Sequence, residues 1–451
     1  MESNPDRKPV HSRAFRRRRA LNWLPLGLTY AFLYMARYNL TVSKNALGDL
    51  MSKESFGIIF AAGTITYAFS FLLNGPVTDR IGGKKGMLIG ATGAAVMNIL
   101  MGVFVYGMLR LGWALDLTVV FSVLYSLNMY FQSYGAVAIV KVNASWFHVR
   151  ERGMFGGIFG ILISLGLYFA FDWSQAIVNL TERLNPASPQ YWLVFFIPAA
   201  ILLFWSLIDV FVLRDRPGEA GFQDFDTGDA SSGEGETPVP VRDLLVRIFT
   251  NRVILTVGMI EFCTGVLRNG VMHWFPIYAK EQIGAAPGLA GQWNFWLNNW
   301  GLMLMLAGAS GGMLAGWMSD RLFGSRRAPV AGILYGALLL ATIGMSFAVG
   351  GPPATLGIFV TLVSIAVIGT HGMLSGTATM DFGGRRAAAT AVGLIDGLVY
   401  LGTGVQSLSL GFITTRNWQY WPIFLIPFAV AGILLTLRIW HAIPTGKRAA
   451  H

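Results

Sequence analysis

Apolar stretches of about 20 residues recur along the chain, and a helix of that length crosses a bilayer. The pattern predicts about twelve spans: 23–43, 56–78, 86–109, 117–140, 155–177, 190–213, 252–278, 300–319, 328–349, 354–376, 388–412 and 419–441. Between them lie short polar loops. One longer stretch differs. Glu219–Val241 is rich in Asp, Glu, Gly, Ser and Pro and has no large apolar cluster, so it reads as a flexible linker. It divides the chain into a basic N-terminal segment 1–22, a six-helix half 23–213, a linker 214–249, a second six-helix half 250–441 and a tail 442–451.

Two spans carry an arginine. Arg37 lies inside Trp23–Leu47 and Arg268 inside Val253–Tyr278. A charge near the bilayer centre costs at least ~3 kcal/mol, so each must face protein or water. Tyr30, Tyr34 and Arg37 are spaced i, i+4, i+7 and share one helical face. A guanidinium flanked by phenols offers several donors to one oxyanion, and its planar fork matches phosphate or carboxylate. The alternative is an arginine that pairs with an acid to hold helices together. Glu261 is the obvious partner in sequence, but two turns, ~10 Å, separate it from Arg268 along the axis. Glu261 then reads as a proton site, a gate, or a helix-packing acid. Asp396, among glycines in the eleventh span, reads as a coupling group or as an acid bonded to a facing helix. His371 reads as a packed histidine.

The chain has 451 residues, of which 54% are hydrophobic and only 13% charged, about half the charged share of a soluble domain. The single cysteine, Cys263, excludes internal disulfides and a cysteine metal cluster. The net charge of +11 could suggest nucleic acid, but its placement points to a membrane instead. Basic residues cluster in alternate loops, at Arg80, Lys84 and Lys85; Arg150 and Arg152; Arg214 and Arg216; Arg321, Arg326 and Arg327; and Arg385 and Arg386. That bias places both termini in the cytoplasm. The N-terminal cluster resembles the start of a signal peptide, yet the following run is too long and has no small-residue cleavage site, so it reads as an uncleaved first span. No Walker A loop and no hydrolase or zinc-protease motif stands in a suitable context, so neither an enzyme nor a cofactor is expected.

The halves repeat. Gly75-Pro-Val-Thr-Asp79-Arg80 follows the second span and Gly316-Trp-Met-Ser-Asp320-Arg321 the eighth, while Arg37 and Arg268 each fall in the first span of a half. Such parallel repeats describe the major facilitator architecture. The Gly75–Lys85 loop resembles that superfamily's signature. Further segments are similar to the organophosphate:phosphate antiporter family, which includes glycerol-3-phosphate and hexose-phosphate transporters: Tyr34-Met-Ala-Arg37-Tyr-Asn39, Trp146–Gly153, Arg214–Gly218, Val266-Leu-Arg268-Asn-Gly270, Trp274-Phe-Pro276 and Tyr400-Leu-Gly402.

The resemblance implies an all-α membrane protein of about twelve helices in two pseudo-symmetric halves. It implies secondary transport of an organic phosphate ester in exchange for inorganic phosphate, by a monomer in a bacterial-type inner membrane. Arg37 and Arg268 match the family's phosphate-binding arginines; Tyr30, Tyr34, Tyr67 and Tyr400 complete the expected substrate site. Asp79, Arg80, Lys141, Arg152, Asp320 and Arg321 are expected at the gate, with Asp396 and Glu261 in coupling. The outer shell departs from the glycerol-3-phosphate transporter pattern. Phe71 stands in place of a lysine, Ile163 of a histidine, Met305 of an acid, and Gly135-Ala-Val-Ala138 of Gly-Trp-Pro-Pro. Two other readings stay open: a sensor that binds a hexose phosphate and signals to a membrane kinase, and a proton-coupled carboxylate symporter.

Overall fold

The computed structural model describes residues 11–148, 151–225, 227, 250, 252–324, 326–375 and 379–441; of residues 152–159 and 379–394 it describes the backbone. The described elements are helical. The first half contains α1 (Arg13–Leu47), α2 (Lys53–Ile81), α3 (Gly83–Leu111), α4 (Leu117–Trp146), α5 (Arg152–Tyr168), α6 (Ser174–Leu184) and α7 (Leu193–Val212). The second contains α8 (Arg252–Met272), α9 (Trp274–Ala285), α10 (Ala290–Asn298), α11 (Trp300–Leu322), α12 (Arg327–Ala348), α13 (Pro353–Met373), α14 (Thr379–Arg416) and α15 (Tyr420–Arg438). A π-turn, Phe169–Trp173, joins α5 to α6 as one span, and α8 and α9 form another that breaks at His273.

Among the described residues, nine helical segments are long and apolar enough to cross a bilayer. The remaining helices of that length are α1, α4 and α14. They carry the polar residues Arg37 and Asn39, Asn128 and Gln132, and Asp396 and Gln406 respectively. The helices least like lipid solutes are thus those that bring polar groups together.

α1 begins at Arg13 rather than at the expected 23. Ser12 caps it by accepting from the Phe15 N–H at 3.1 Å. Long-range contacts then hold the basic turns in place: Arg18 donates to the Val212 carbonyl at 2.7 Å, and Arg19 grips both oxygens of Glu151 at 2.9 and 3.3 Å. Most of the expected linker, including 228–249, lies outside the described residues, as does the tail 442–451.

Within the first half α4 packs on α2 and α3, and α1 on α5 and α7; within the second α14 and α15 pack on α8, and α13 on α11 and α12. The halves meet through α2 against α14 and α5 against α11. In a parallel repeat, α2 corresponds to α11 and the fifth span to α14, so the repeat exchanges these two contacts. α8 and α14 approach backbone to backbone. A side chain at Gly265 would collide with the Val399 carbonyl, and one at Gly402 with that of Phe262. This contact brings Arg268 and Tyr400 to the centre.

The halves are joined toward the end of the bundle that carries the α1–α2 and α9–α11 connections. Asn45 donates to the Pro276 carbonyl at 3.0 Å and Lys53 pairs with Glu281 at 3.1 Å. Asp172 accepts from the backbone N–H groups of Gly301 at 2.6 Å and Leu302 at 2.9 Å. A carboxylate from the fifth span thus caps the first turn of the eighth, where free N–H groups favour negative charge.

Candidate functional site: two buried arginines

Arg37 is fully buried. Its Nε donates to Gln132 Oε1 at 3.0 Å, Nη1 to Tyr400 OH at 3.0 Å and Nη2 to Tyr67 OH at 3.1 Å. The Tyr67 and Tyr34 rings lie 4.6 and 4.9 Å from the guanidinium carbon. α1, α2, α4 and α14 therefore converge on one cation, and each partner is neutral. Of the tyrosines expected from sequence, Tyr67 and Tyr400 bond it and Tyr34 stacks beside it. Tyr30 packs edge-on against Tyr34, with ring centroids 5.5 Å apart. The expectation that Tyr30 and Tyr34 flank Arg37 through their hydroxyls is corrected. Side chains one and two turns before Arg37 lie along its helix, whereas the hydrogen-bonding phenols reach it from α2 and α14.

Gln132 was not expected. Its amide donates to Asn128 Oδ1 at 3.4 Å; Asn128 and Asn98 both donate to the Ala36 carbonyl, at 3.1 and 2.9 Å; and Asn39 donates to Asn98 Oδ1 at 2.8 Å. Buried amides need partners, and this ladder supplies them while holding the turn that carries Arg37. The i, i+4 pair Asn128 and Gln132 in an apolar span was the available signal.

Arg268 is half-buried, and its buried Nε has no hydrogen-bond partner. The neighbouring Asn269 is pinned to Thr403 Oγ1 at 2.8 Å, which fixes the α8 backbone against α14. Tyr34 and Tyr38 lie within electrostatic reach of both arginines. Tyr38, buried with an unpartnered hydroxyl, is a second residue missed in sequence, although it extends the row of Tyr30 and Tyr34 by one turn. Among the described residues no carboxylate pairs with Arg37 or Arg268.

Glu261 does not pair with Arg268. It is fully buried, and its Oε2 lies 2.7 Å from His371 Nδ1. Asp396 accepts from Ser375 Oγ at 2.5 Å. Phe71 stands edge-on to Tyr67 at 4.7 Å and 6.3 Å from Tyr400, forming an apolar wall beside Arg37. Ile163 and Met305 are half-buried.

The residues expected at the gate lie at the ends of α2, α4 and α11. Asp79 pairs with Lys141 at 2.6 Å and Asp320 lies 3.9 Å from Arg327, each within its own half. Arg80 and Arg321 are exposed. Asp79 and Lys141, both expected at the gate, thus pair with each other, and Asp320 meets a cation on the adjacent helix. The Arg152 side chain lies outside the described residues.

Residues 26–407 match the Major Facilitator Superfamily. The glycerol-3-phosphate transporter of Bacillus subtilis (strain 168) is 26% identical over 97% of this chain and 95% of its own length. The membrane sensor protein UhpC of Escherichia coli (strain K12) is 26% identical over 92% of this chain and 90% of its own. Among solved structures, a bacterial homolog of the human lysosomal transporter Spinster, inward-facing and occupied, superposes with a TM-score of 0.70 at 14% identity, over 96% of this chain and 98% of that one. At that identity the likeness speaks for the fold alone. The chain belongs to the Major Facilitator Superfamily, an integral membrane protein of transporter fold and not an enzyme.

Proposed function

We propose that this protein is a secondary active transporter of an organic phosphate ester of the glycerol-phosphate or sugar-phosphate type, exchanged for inorganic phosphate by alternating access. The observation that carries the reading is the pair of arginines with no acidic partner, one bonded only to neutral groups and the other with a buried Nε left open. Two cations sheltered inside the bundle with no acid in direct contact make a site for an anion. The similarity to a glycerol-3-phosphate transporter supports the phosphoryl class. Residues 23–213 and 250–441 are the two rocking bodies, 214–249 the link between them, and both termini face the cytoplasm of a bacterial-type inner membrane. The unloaded arginine pair opposes reorientation and a bound anion relieves it, which makes exchange obligatory.

The test is counterflow of labelled phosphate in proteoliposomes loaded with phosphate, glycerol 3-phosphate or a hexose phosphate. Exchange with at least one ester supports the reading. The similarity to UhpC and the apolar wall at Phe71 favour a sensor as the second reading. Phosphate-ester binding without counterflow selects it, and absence of binding removes both.

A further inference from the structure

The buried acid of α8 is not absorbed by the arginine site. Glu261 is wholly shielded from solvent, while His371, its partner on α13, retains 22% of its side-chain exposure. The other carboxylate oxygen, Oε1, is buried without a partner. Just beyond His371, α13 ends at Met373 and passes into a π-turn, where Ser375 donates to Asp396 of α14. Arg268, His371 and Asp396 lie within electrostatic reach of one another, and Glu261 within reach of Arg268 and Asp396. Among the described residues, the other titratable groups facing the cluster are Tyr335 of α12, which bonds the Ile260 carbonyl and Thr264, together with Cys263 of α8 and Tyr400 of α14. On α11 the charged residues Asp320 and Arg321 are exposed near its end, and on α15 Tyr420 and Arg438 are exposed at its two ends.

We propose that Glu261 and His371 form a proton-binding site that loads together with the anion at Arg268, so that phosphate binding is linked to proton uptake. The inference rests on the anion reading of the arginine pair. The linkage follows from charge. With Glu261 ionised and the imidazole neutral, the 2.7 Å contact is an Nδ1–H donated to Oε2, and the dyad carries one negative charge. That charge lies within electrostatic reach of Arg268 and opposes an incoming anion there. A proton taken up at His371 Nε2, with the Nδ1 proton passing across the contact to Oε2, reverses it. The carboxyl O–H then donates to Nδ1, the dyad is neutral, and Arg268 is left with its full charge for an incoming anion. Proton and anion each strengthen the binding of the other by the same factor, as linkage requires. The two positions differ in access in the way a relay needs: His371 keeps exposed surface, Glu261 does not. Asp396, which accepts from Ser375, adds to the field at His371.

The experiment is isothermal titration calorimetry of purified full-length protein with inorganic phosphate, in buffers of different ionisation enthalpy, between pH 5.5 and 8.5. The slope against buffer enthalpy counts protons taken up per phosphate. Glu261→Gln is the comparison, because it keeps the shape and a hydrogen bond to His371 but has no ionisable carboxyl; phosphate's own protons are common to both proteins. The expected result is uptake in the wild type beyond that of the variant, with Glu261→Gln still binding phosphate and losing that excess. Equal proton counts overturn the inference while leaving the anion site standing. No phosphate binding by the wild type at any pH removes the anion reading, and the linkage with it. If Glu261→Gln does not fold, His371→Gln makes the comparison. There an unchanged proton count over an unchanged pH range overturns the proposal, and a shifted or lost uptake supports it.

Discussion

Arg37 and Arg268 do different work within one site. Arg37 is immobilised by three neutral partners, whereas the buried Nε of Arg268 has none; in the proposed anion site the first would be positioned before a ligand arrives and the second left for it. A hydrogen bond to a charged group contributes roughly 1.5–3 kcal/mol. Arg268→Lys, which replaces a fork by a point charge, is therefore expected to weaken phosphate binding at least ~10-fold, and Arg37→Lys comparably, as measured by titration calorimetry. Unchanged affinity in either variant would assign that arginine to packing. Gln132→Leu leaves the Arg37 Nε–H unmet and is expected to lower affinity without removing the charge, and Gln132→Glu is expected to lower it further because it supplies a competing anion. A separate residue-scale prediction concerns Glu151. Burial pushes its carboxyl upward, but the bidentate grip and charge of Arg19 reverse this and hold it below the ordinary glutamate range. An acid depressed in the folded state stabilises it above the unfolded value and loses that contribution as pH falls through the folded one. The start of α1 should stay docked at neutral pH and loosen below the ordinary glutamate range. Glu151→Gln should raise amide exchange over 13–19 at neutral pH by about fivefold, the effect of ~1 kcal/mol.

At the scale of elements, the Asp172 contact sets how α5 and α11 meet. The π-turn at Phe169–Trp173 carries Asp172 where its two oxygens reach the first turn of α11. Gly301 permits this, since a Cβ there would stand 2.8 Å from Asp172 Oδ1 and 2.9 Å from the Tyr168 backbone. In an alternating-access cycle this junction must break when that end opens. Asp172→Ala removes two hydrogen bonds to a charged group and is expected to shift the equilibrium toward the open form by at least ~100-fold. Asn179 and Asn298, bonded at 2.8 Å between α6 and α10, supply the probe. With both changed to cysteine, disulfide formation should be fast in the parent and slower with Asp172→Ala. An equal rate would mean that the junction does not govern this end. The sole native cysteine, Cys263, is buried and adds little background.

For the whole molecule, the same disulfide is expected to stop counterflow while phosphate still binds from the other face. Transport that persists through the cross-link would refute movement of the halves about the arginine site. Topology has its own measurement. Cysteines placed in 219–241 should label in inverted vesicles and not from outside intact cells; outside labelling would reverse the assignment of both faces.

The spans, the internal repeat and the two membrane arginines were readable from the chain alone. They depend on apolar run length, on local motifs and on the cost of a charge in lipid, all local in sequence. The side chains that complete the site were not. Arg37 takes its partners from α2, α4 and α14, and Glu261 finds His371 110 residues away instead of Arg268 seven residues on. Helical periodicity assigns a residue to a face, but it does not state which helix that face meets. The close packing of α8 on α14 through Gly265 and Gly402, and of the fifth span on the eighth through Asp172, decided which faces meet. Sequence therefore determined which charges had to be sheltered, and only the tertiary structure decided what shelters them, because buried polar groups take the partners that packing brings within hydrogen-bond reach.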